Sequence, residues 1–284
     1  KRLYKQFQID DERFPPKQTQ WFINSCKEDA LRPKDIDPTD SDTRKKIEIY
    51  ELYEAQCARE GVVDFGELLL RSYELLRDQE ALRQHYQLRF RHLLIDEFQD
   101  TNNAQYRILR ALVGPHKNLC VVGDDDQAIY RWRGADVRNL QHFRRDFTGA
   151  RVIKLEQNYR STKTIVEAAN SVIANNQKQL KKQVWTANTQ GDRIRLLRAL
   201  SDNEEGVMVA NAIFESKVNR QWHNKDFAIL YRTNAQSRSM EEALRKISIP
   251  YRIYGGLSFY KRKEIKDLLA YFRLVINTHD EEAL

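Results

Sequence analysis

The chain has 284 residues and carries 48 Lys and Arg against 41 Asp and Glu, for a formal net charge of +7. That length accommodates two domains of ordinary size, and the mild basic bias favours a polyanionic partner. No run approaches the roughly 20 apolar residues that a bilayer span requires, which argues against a membrane protein.

Residues 1–91 read as an α-helical unit. "WFINSCKEDAL" has helical spacing and "RPKDIDPTDSDT" is a turn-rich connection. "RKKIEIYELYEAQCARE" is a second helix, in which Ile47, Tyr50, Tyr53 and Cys57 recur every three to four residues. Asp64, with Glu67 three residues on, predicts a capping box at the start of "FGELLLRSYELL". From residue 92 the pattern changes. "HLLIDE", "NLCVVGDDD" and "ARVIKLEQNY" are short apolar runs ending in polar residues, separated by the helical segments "NAQYRILRALV" and "VRNLQHFRRDF". Apolar strands alternating with helices predict a parallel sheet covered on both faces. In such sheets the ligand site lies outside the carboxyl ends of the strands, and all three polar clusters fall there.

A helix, "TKTIVEAANSVIANN", a basic stretch, "QKQLKKQVW", and a loop, "TANTQGD", come next. A second α/β set follows, with strands "RIRLLRAL", "DFAILYR" and "PYRIYGG" and helices "EEGVMVANAIFESKVN" and "RSMEEALRKIS". The final segment, "KEIKDLLAYFRLVIN", is amphipathic. Cys26, Cys57 and Cys120 are odd in number and form no Cys-x-x-Cys pair. They read as reduced thiols rather than a zinc site or a disulfide framework. The opening stretch "KRLYKQFQIDDERF" lacks the apolar core of a signal peptide. Both features predict a cytoplasmic protein.

The chemistry concentrates at the three strand ends. Asp96 can hold Mg²⁺ directly or through water, while the adjacent Glu97 orients and deprotonates an attacking water. The plain alternative is a solvated strand terminus, against which Gln99 and Asp100 add an amide and a further acid within one turn. In "VVGDDDQAIYRWRGA", Gly123 lets the backbone turn tightly as it leaves the sheet. Gln127 can hydrogen-bond a terminal phosphate or the attacking water. Tyr130, Trp132 and Arg133 place two rings and a guanidinium in one loop, a combination that suits single-stranded nucleic acid. The competing reading makes Trp132 a core residue. In "LEQNYRS", Tyr159 can stack on a nucleobase and Arg160 can neutralise a transferring phosphoryl group. Standing alone, that pair would be an ordinary surface Tyr-Arg.

Together "LLIDEFQDTN", "VVGDDDQAIYRWRGA" and "LEQNYRS" resemble the second, third and fourth motifs of the bacterial UvrD/Rep/PcrA branch of superfamily 1 DNA helicases. The resemblance continues in "VVDFGELLLR" (62–71), "AILYRTNAQSRSMEEAL" (228–244) and "PYRIYGGLSFYKRKEIKD" (250–267), so it covers most of the chain in order. It implies an α/β fold, with parts of two RecA-like P-loop NTPase domains (parallel sheets flanked by helices) and an α-helical insertion. In that scheme residues 1–91 are the helical insertion of the first motor domain and 92–157 the C-terminal part of that domain. Residues 158–255 begin the second RecA-like domain, and 256–284 begin a second helical insertion.

The implied function is an ATP-dependent 3′→5′ helicase or translocase of DNA repair, in the bacterial cytoplasm. Its cofactors would be ATP and Mg²⁺, and its partners single-stranded DNA, single/double-strand junctions and DNA repair proteins, with no membrane. By the resemblance Asp96 and Glu97 serve Mg²⁺ and water activation, and Gln127 couples nucleotide state to DNA. Tyr159 stacks on adenine and Arg160 contacts the γ-phosphate. Tyr130, Trp132 and Arg133 touch the single strand, with Arg232 and Asn234 on its backbone. The family's usual Ser after the glutamine is Ala128 here, with little consequence expected because Gln127 carries the polar role.

None of the ten glycines is followed by Lys-Ser or Lys-Thr, so the phosphate-cradling loop G-x-x-x-x-G-K-[ST] does not occur. The resemblance therefore implies an internal fragment, lacking an upstream phosphate loop and a downstream second arginine. Phosphoryl transfer rests on positioning and charge neutralisation, so the chain alone is expected to hydrolyse ATP negligibly and to unwind nothing. Residual, salt-sensitive binding to single-stranded DNA is expected. Two alternatives are a non-catalytic DNA-binding or regulatory protein and part of a helicase–nuclease subunit. A general metal-dependent hydrolase is disfavoured, because it leaves Tyr130, Trp132 and Arg160 unexplained and no histidines sit at ligand spacing.

Overall fold

A computed structural model describes residues 2–176, 180–254 and 263–276. Contacts divide the chain into two units, 1–192 and 193–284, each described by itself. The first unit begins with five helices: α1 (Arg2–Gln6), α2 (Pro16–Glu28), α3 (Ser41–Glu60), α4 (Phe65–Asp78) and α5 (Glu80–Arg89). Proline starts α2, where its missing N–H costs nothing and its φ is already helical. Asp40 caps α3, which ends at Gly61 in the left-handed region, φ 66°, where glycine carries no Cβ penalty. Tyr4, Ile9, Phe14 and Ile49 form one apolar cluster, and Ile23, Cys26 and Tyr50 form another between α2 and α3.

An ionic network with a buried centre joins α2, α3 and α4. The Lys27 ammonium, 2% exposed, reaches Asp64 at 2.9 Å and Glu67 at 2.8 Å. Arg32 pairs with Glu67 at 3.0 Å, Glu74 at 2.7 Å and Glu54, and Arg71 closes on Glu67 at 2.6 Å. Tyr53 donates its hydroxyl to Asp64 at 2.8 Å. The expected capping box is therefore half right. Asp64 accepts from the Glu67 backbone N–H at 2.7 Å, but the Glu67 carboxylate goes to three cations instead of back to the cap. Burial works to raise Glu67, yet Arg32, Lys27 and Arg71 outweigh it and hold the carboxyl down at about 2.

Strand β1 (Leu93–Ile95) then pairs in parallel with β2 (Leu119–Val121), in the register Leu93 to Leu119 and Ile95 to Val121. Helix α6 (Asn103–Leu112) connects them, started by a complete capping box between Asn102 and Gln105. Phe98, Tyr106 and Leu109 form the core of this region, with Leu93, Ile95, Leu119 and Val121 against it. Helices α7 (Arg138–Asp146) and α8 (Lys163–Ile173) follow in the first unit. The second unit holds α9 (Asp202–Arg220), α10 (Ser237–Lys246) and α11 (Lys263–Ile276). Ala210 of α9 packs on Ala243 and Leu244 of α10, with Ile249.

Two of the expected strands form; the rest do not. Residues 151–156, 193–199, 227–231 and 250–254 contain no strand among the described residues; Gly255 and Gly256, the end of "PYRIYGG", lie outside them. The exception is a single parallel bridge between Gln157 and Trp185. Leu230 stands 93% exposed, and Leu155 and Leu196 are also exposed. Apolar composition gives a segment the tendency to pair, but a strand exists only where a neighbour supplies the ladder. The covered parallel sheets expected from the sequence are thus represented by two strands.

Candidate nucleotide and nucleic-acid site

The acid pair sits where the chain leaves β1. Asp96 accepts the Glu97 backbone N–H at 3.0 Å, and Glu97 itself adopts a left-handed backbone, φ 49°, ψ 43°. The next residues form a single tight turn, Phe98–Asp100, in which Phe98 and Gln99 are buried. Phe98 is held inward by its apolar cluster and by its N–H donating to Val122 O at 2.9 Å. Burying 98 and 99 leaves the carboxylates of Asp96 and Glu97 in solvent. Burial, followed by the charge of Glu97, raises the Asp100 carboxyl above its ordinary range.

Gln99 connects this turn to the end of β2. Its side-chain amide donates to Glu97 Oε2 at 2.7 Å, and its carbonyl accepts the Asp124 N–H at 2.9 Å. Gly123 makes that approach feasible, since a Cβ there would lie 2.9 Å from Gln99 Oε1. Beyond it the carboxylates of Asp124, Asp125 and Asp126 crowd within 4.8 Å of one another. The ammonium of Lys182 lies among them, bonded to Asp124, 2.9 Å from Asp126 and 3.4 Å from Asp125. Burial alone would lower Lys182, but the bonds to Asp124 and Asp126 raise it above the ordinary lysine range. Gln127, exposed, donates its side-chain amide to Asp124 Oδ2 at 2.8 Å.

The aromatic loop follows. Tyr130 and Trp132 lie with ring centroids 6.4 Å apart, tilted by 49°. The Arg133 guanidinium sits 4.9 Å from the first ring and 4.5 Å from the second. Trp132 is 67% exposed, so it is not a core residue. The loop is pinned from behind, because Asp136 N–H and the Asn139 side-chain amide both donate to Thr101 O, at 3.0 and 3.1 Å. Gly134 allows the turn at φ 77°, where a Cβ would also strike the Glu28 carboxylate.

Tyr159 and Arg160 are exposed at a turn built by Asn158, whose side-chain oxygen accepts the N–H of Arg160 at 3.0 Å and of Ser161 at 2.8 Å. The Tyr159 hydroxyl donates to Gln157 Oε1 at 2.9 Å. Among the described residues no hydrogen bond or ion pair runs directly from Tyr159 or Arg160 to Asp96 or Glu97. Arg232 and Asn234 belong to the second unit, where Gln236 accepts the Arg232 N–H at 3.0 Å and Asn234 opens a short turn. The structure thus gathers Glu97, Gln99, Asp124, Gln127 and Lys182 into one bonded set. Lys182 was hidden in the basic stretch, where nothing distinguishes it from its neighbouring lysines.

Residues 1–148 match the family model described as the UvrD/REP helicase N-terminal domain, and residues 153–284 match that of the UvrD-like helicase C-terminal domain. DNA helicase II of Haemophilus influenzae is 49% identical over 284 residues, and that of Escherichia coli 47% over 292. The ATP-dependent DNA helicase PcrA of Staphylococcus aureus is 42% identical over 286 residues. Each similarity covers all of this chain and 39% of the relative, so the chain spans about two-fifths of the length of these proteins. The acid turn and the aromatic loop lie within the first of these matches, and the arginine turn and the helices of the second unit lie within the second. The chain belongs to the UvrD/REP helicase family.

Proposed function

We propose that this chain supplies part of the motor of an ATP-dependent 3′→5′ DNA helicase of repair, holding the water-activating acids and a stretch of the single-strand track. The arrangement of Arg133 against both Tyr130 and Trp132, with Trp132 open to solvent, carries the reading most directly. Such a platform offers π faces to bases and a cation to phosphates. The relatives' names, DNA helicase II and ATP-dependent DNA helicase PcrA, support the same direction.

In this reading Asp96 and Glu97 hold Mg²⁺ beside ATP, and their hard oxygen atoms, exposed together at the end of β1, fit that ion. The metal would neutralise charge on the phosphates. Glu97, oriented by Gln99, would take the proton of the attacking water. Gln127 would sense the terminal phosphate from its seat on Asp124. Tyr159 would stack on the adenine, and Arg160 would meet the γ-phosphate. Arg232 and Asn234 would hold the DNA backbone from the second motor domain. Both motor domains are read as RecA-like, with residues 1–91 and 256–284 in helical insertions. The DNA partner would be a single strand or its junction with duplex, and repair proteins would meet the complete motor.

The 284-residue chain on its own is expected to bind single-stranded DNA and to leave ATP intact, since no glycine-lysine phosphate loop is present in its sequence. Fluorescence anisotropy with a labelled oligonucleotide tests the first part. Trp132→Ala should weaken binding about tenfold, the value of one lost stacking contact, while a lysine remote from the loop changes only the salt-dependent share. Equal losses for the two variants would overturn the stacking site. Robust ATP turnover by the chain, abolished by Glu97→Gln, would overturn the second part.

A further inference from the structure

The bonded set around Asp124 has a member that the proposed function leaves without a role. We infer that Lys182 is a positioning residue for Gln127: its ammonium fixes the Asp124 carboxylate that holds the Gln127 side-chain amide, and it ties that turn to the segment leading into Tyr159 and Arg160. This inference rests on the proposed role of Gln127 and deepens it.

Three consecutive carboxylates at one strand end repel one another, and a cation with several donors, such as an ammonium, can serve all three. Lys182 is only 18% exposed and contacts each of them. A lysine held merely as a solvated surface charge would keep its head in water. Asp124 divides its oxygens: Oδ2 accepts Gln127 at 2.8 Å, while Oδ1 accepts Lys182 and the Asp126 N–H. Without Lys182, the carboxylate that seats Gln127 faces two like charges and keeps only the Asp126 N–H on Oδ1.

The attachment has a second point, since Leu180 N–H donates to Asp125 Oδ2 at 2.6 Å. On its other side the same short segment is bonded to residues 154–158. Gln183 N–H donates to Glu156 Oε1 at 3.1 Å, Trp185 N–H to Glu156 O at 2.9 Å, and Asn158 N–H to Trp185 O at 2.7 Å. Lys182 is therefore the charged joint between the turn that carries Gln127 and the backbone that presents Tyr159 and Arg160. Through Asp124 and Gln99 the same joint continues to Glu97.

The test reads the Gln127 side chain itself. In the 284-residue chain labelled with ¹⁵N-glutamine, Gln127→Ala identifies the Gln127 side-chain amide signals. Lys182→Met should shift these signals and speed their exchange with solvent at least fivefold, with glutamines of α2 unaffected. Lys182→Arg should restore both, because the cation and its donors return. Lys182→Gln, a neutral side chain of similar shape, should behave as Lys182→Met does and serves if that variant does not fold. Unmoved Gln127 signals in a folded neutral variant would overturn the inference, as would an arginine variant that behaves like methionine. Failure of the Gln127 reading would look different. It would appear as undiminished ATP hydrolysis when the equivalent glutamine is replaced by alanine in a full-length relative.

Discussion

The ionic set of the helical region and the exposed acids at the end of β1 both concentrate charge in the first unit, and they handle it in opposite ways. Around Lys27 and Arg32 the carboxylates of Glu54, Asp64, Glu67 and Glu74 each meet a cation, and Glu67 alone serves three. Around β1 and β2 the packing buries Phe98 and Gln99 and turns Asp96, Glu97 and Gln127 outward. The first arrangement fixes helices against each other; the second keeps charged groups available to something outside the chain. A buried, fully partnered ionic set contributes to a specific packing, and its loss is felt as instability. An exposed set contributes little to folding, and its loss is felt at the ligand.

The largest expected effect lies in the buried set. Glu67→Ala leaves Lys27, Arg32 and Arg71 short of a shared partner, which should cost about 3–5 kcal/mol of helical-region stability, measured by urea unfolding followed through helix content. A loss below about 1 kcal/mol would erase the contrast between the regions. The next effect is set by pH. The folded carboxyl of Glu67 lies at about 2, below its ordinary range. Its contribution is therefore present above the unfolded value of roughly 4.3 and is lost as pH falls through about 2. Acid titration should destabilise wild type across that window, while Glu67→Gln, already weakened, should show a shallower decline. An identical acid profile for the two proteins would assign the acid sensitivity to other groups. The smallest effect belongs to the exposed set, where Trp132→Ala should change stability by less than about 0.5 kcal/mol, although the proposed function expects it to weaken DNA binding. A large stability loss there would mean that the ring packs rather than presents itself.

The helices were largely legible because their signal is local. Apolar spacing marked α3, and Asp64 caps the start of α4 as expected, although the reciprocal half of its capping box does not form. Helix α5 was expected only as part of the helical unit 1–91, since no side chain caps its start and none of its residues is fully buried. The strands were over-read, since "DFAILYR" and its counterparts carry the composition of a strand without a partner beside them. At the site, exposed acids at a strand end followed from the alternation of sheet and helix. The bridge from Gln99 to Asp124 spans 25 residues and the bond from Lys182 to Asp124 spans 58. Neither leaves a periodic trace, because side-chain bonds over such separations depend on the folded path alone.

Glu97 gives the contrast its sharpest expression. Its left-handed backbone suits glycine, which has no Cβ, or asparagine, whose short amide bonds the local backbone, better than glutamate, at a conformational cost of about 1–3 kcal/mol. A laboratory selection for melting temperature alone would accordingly drift toward glycine at this position. It would gain heat resistance and erase the carboxylate that Gln99 orients, so thermal screening of this chain selects against the very geometry that its turn maintains.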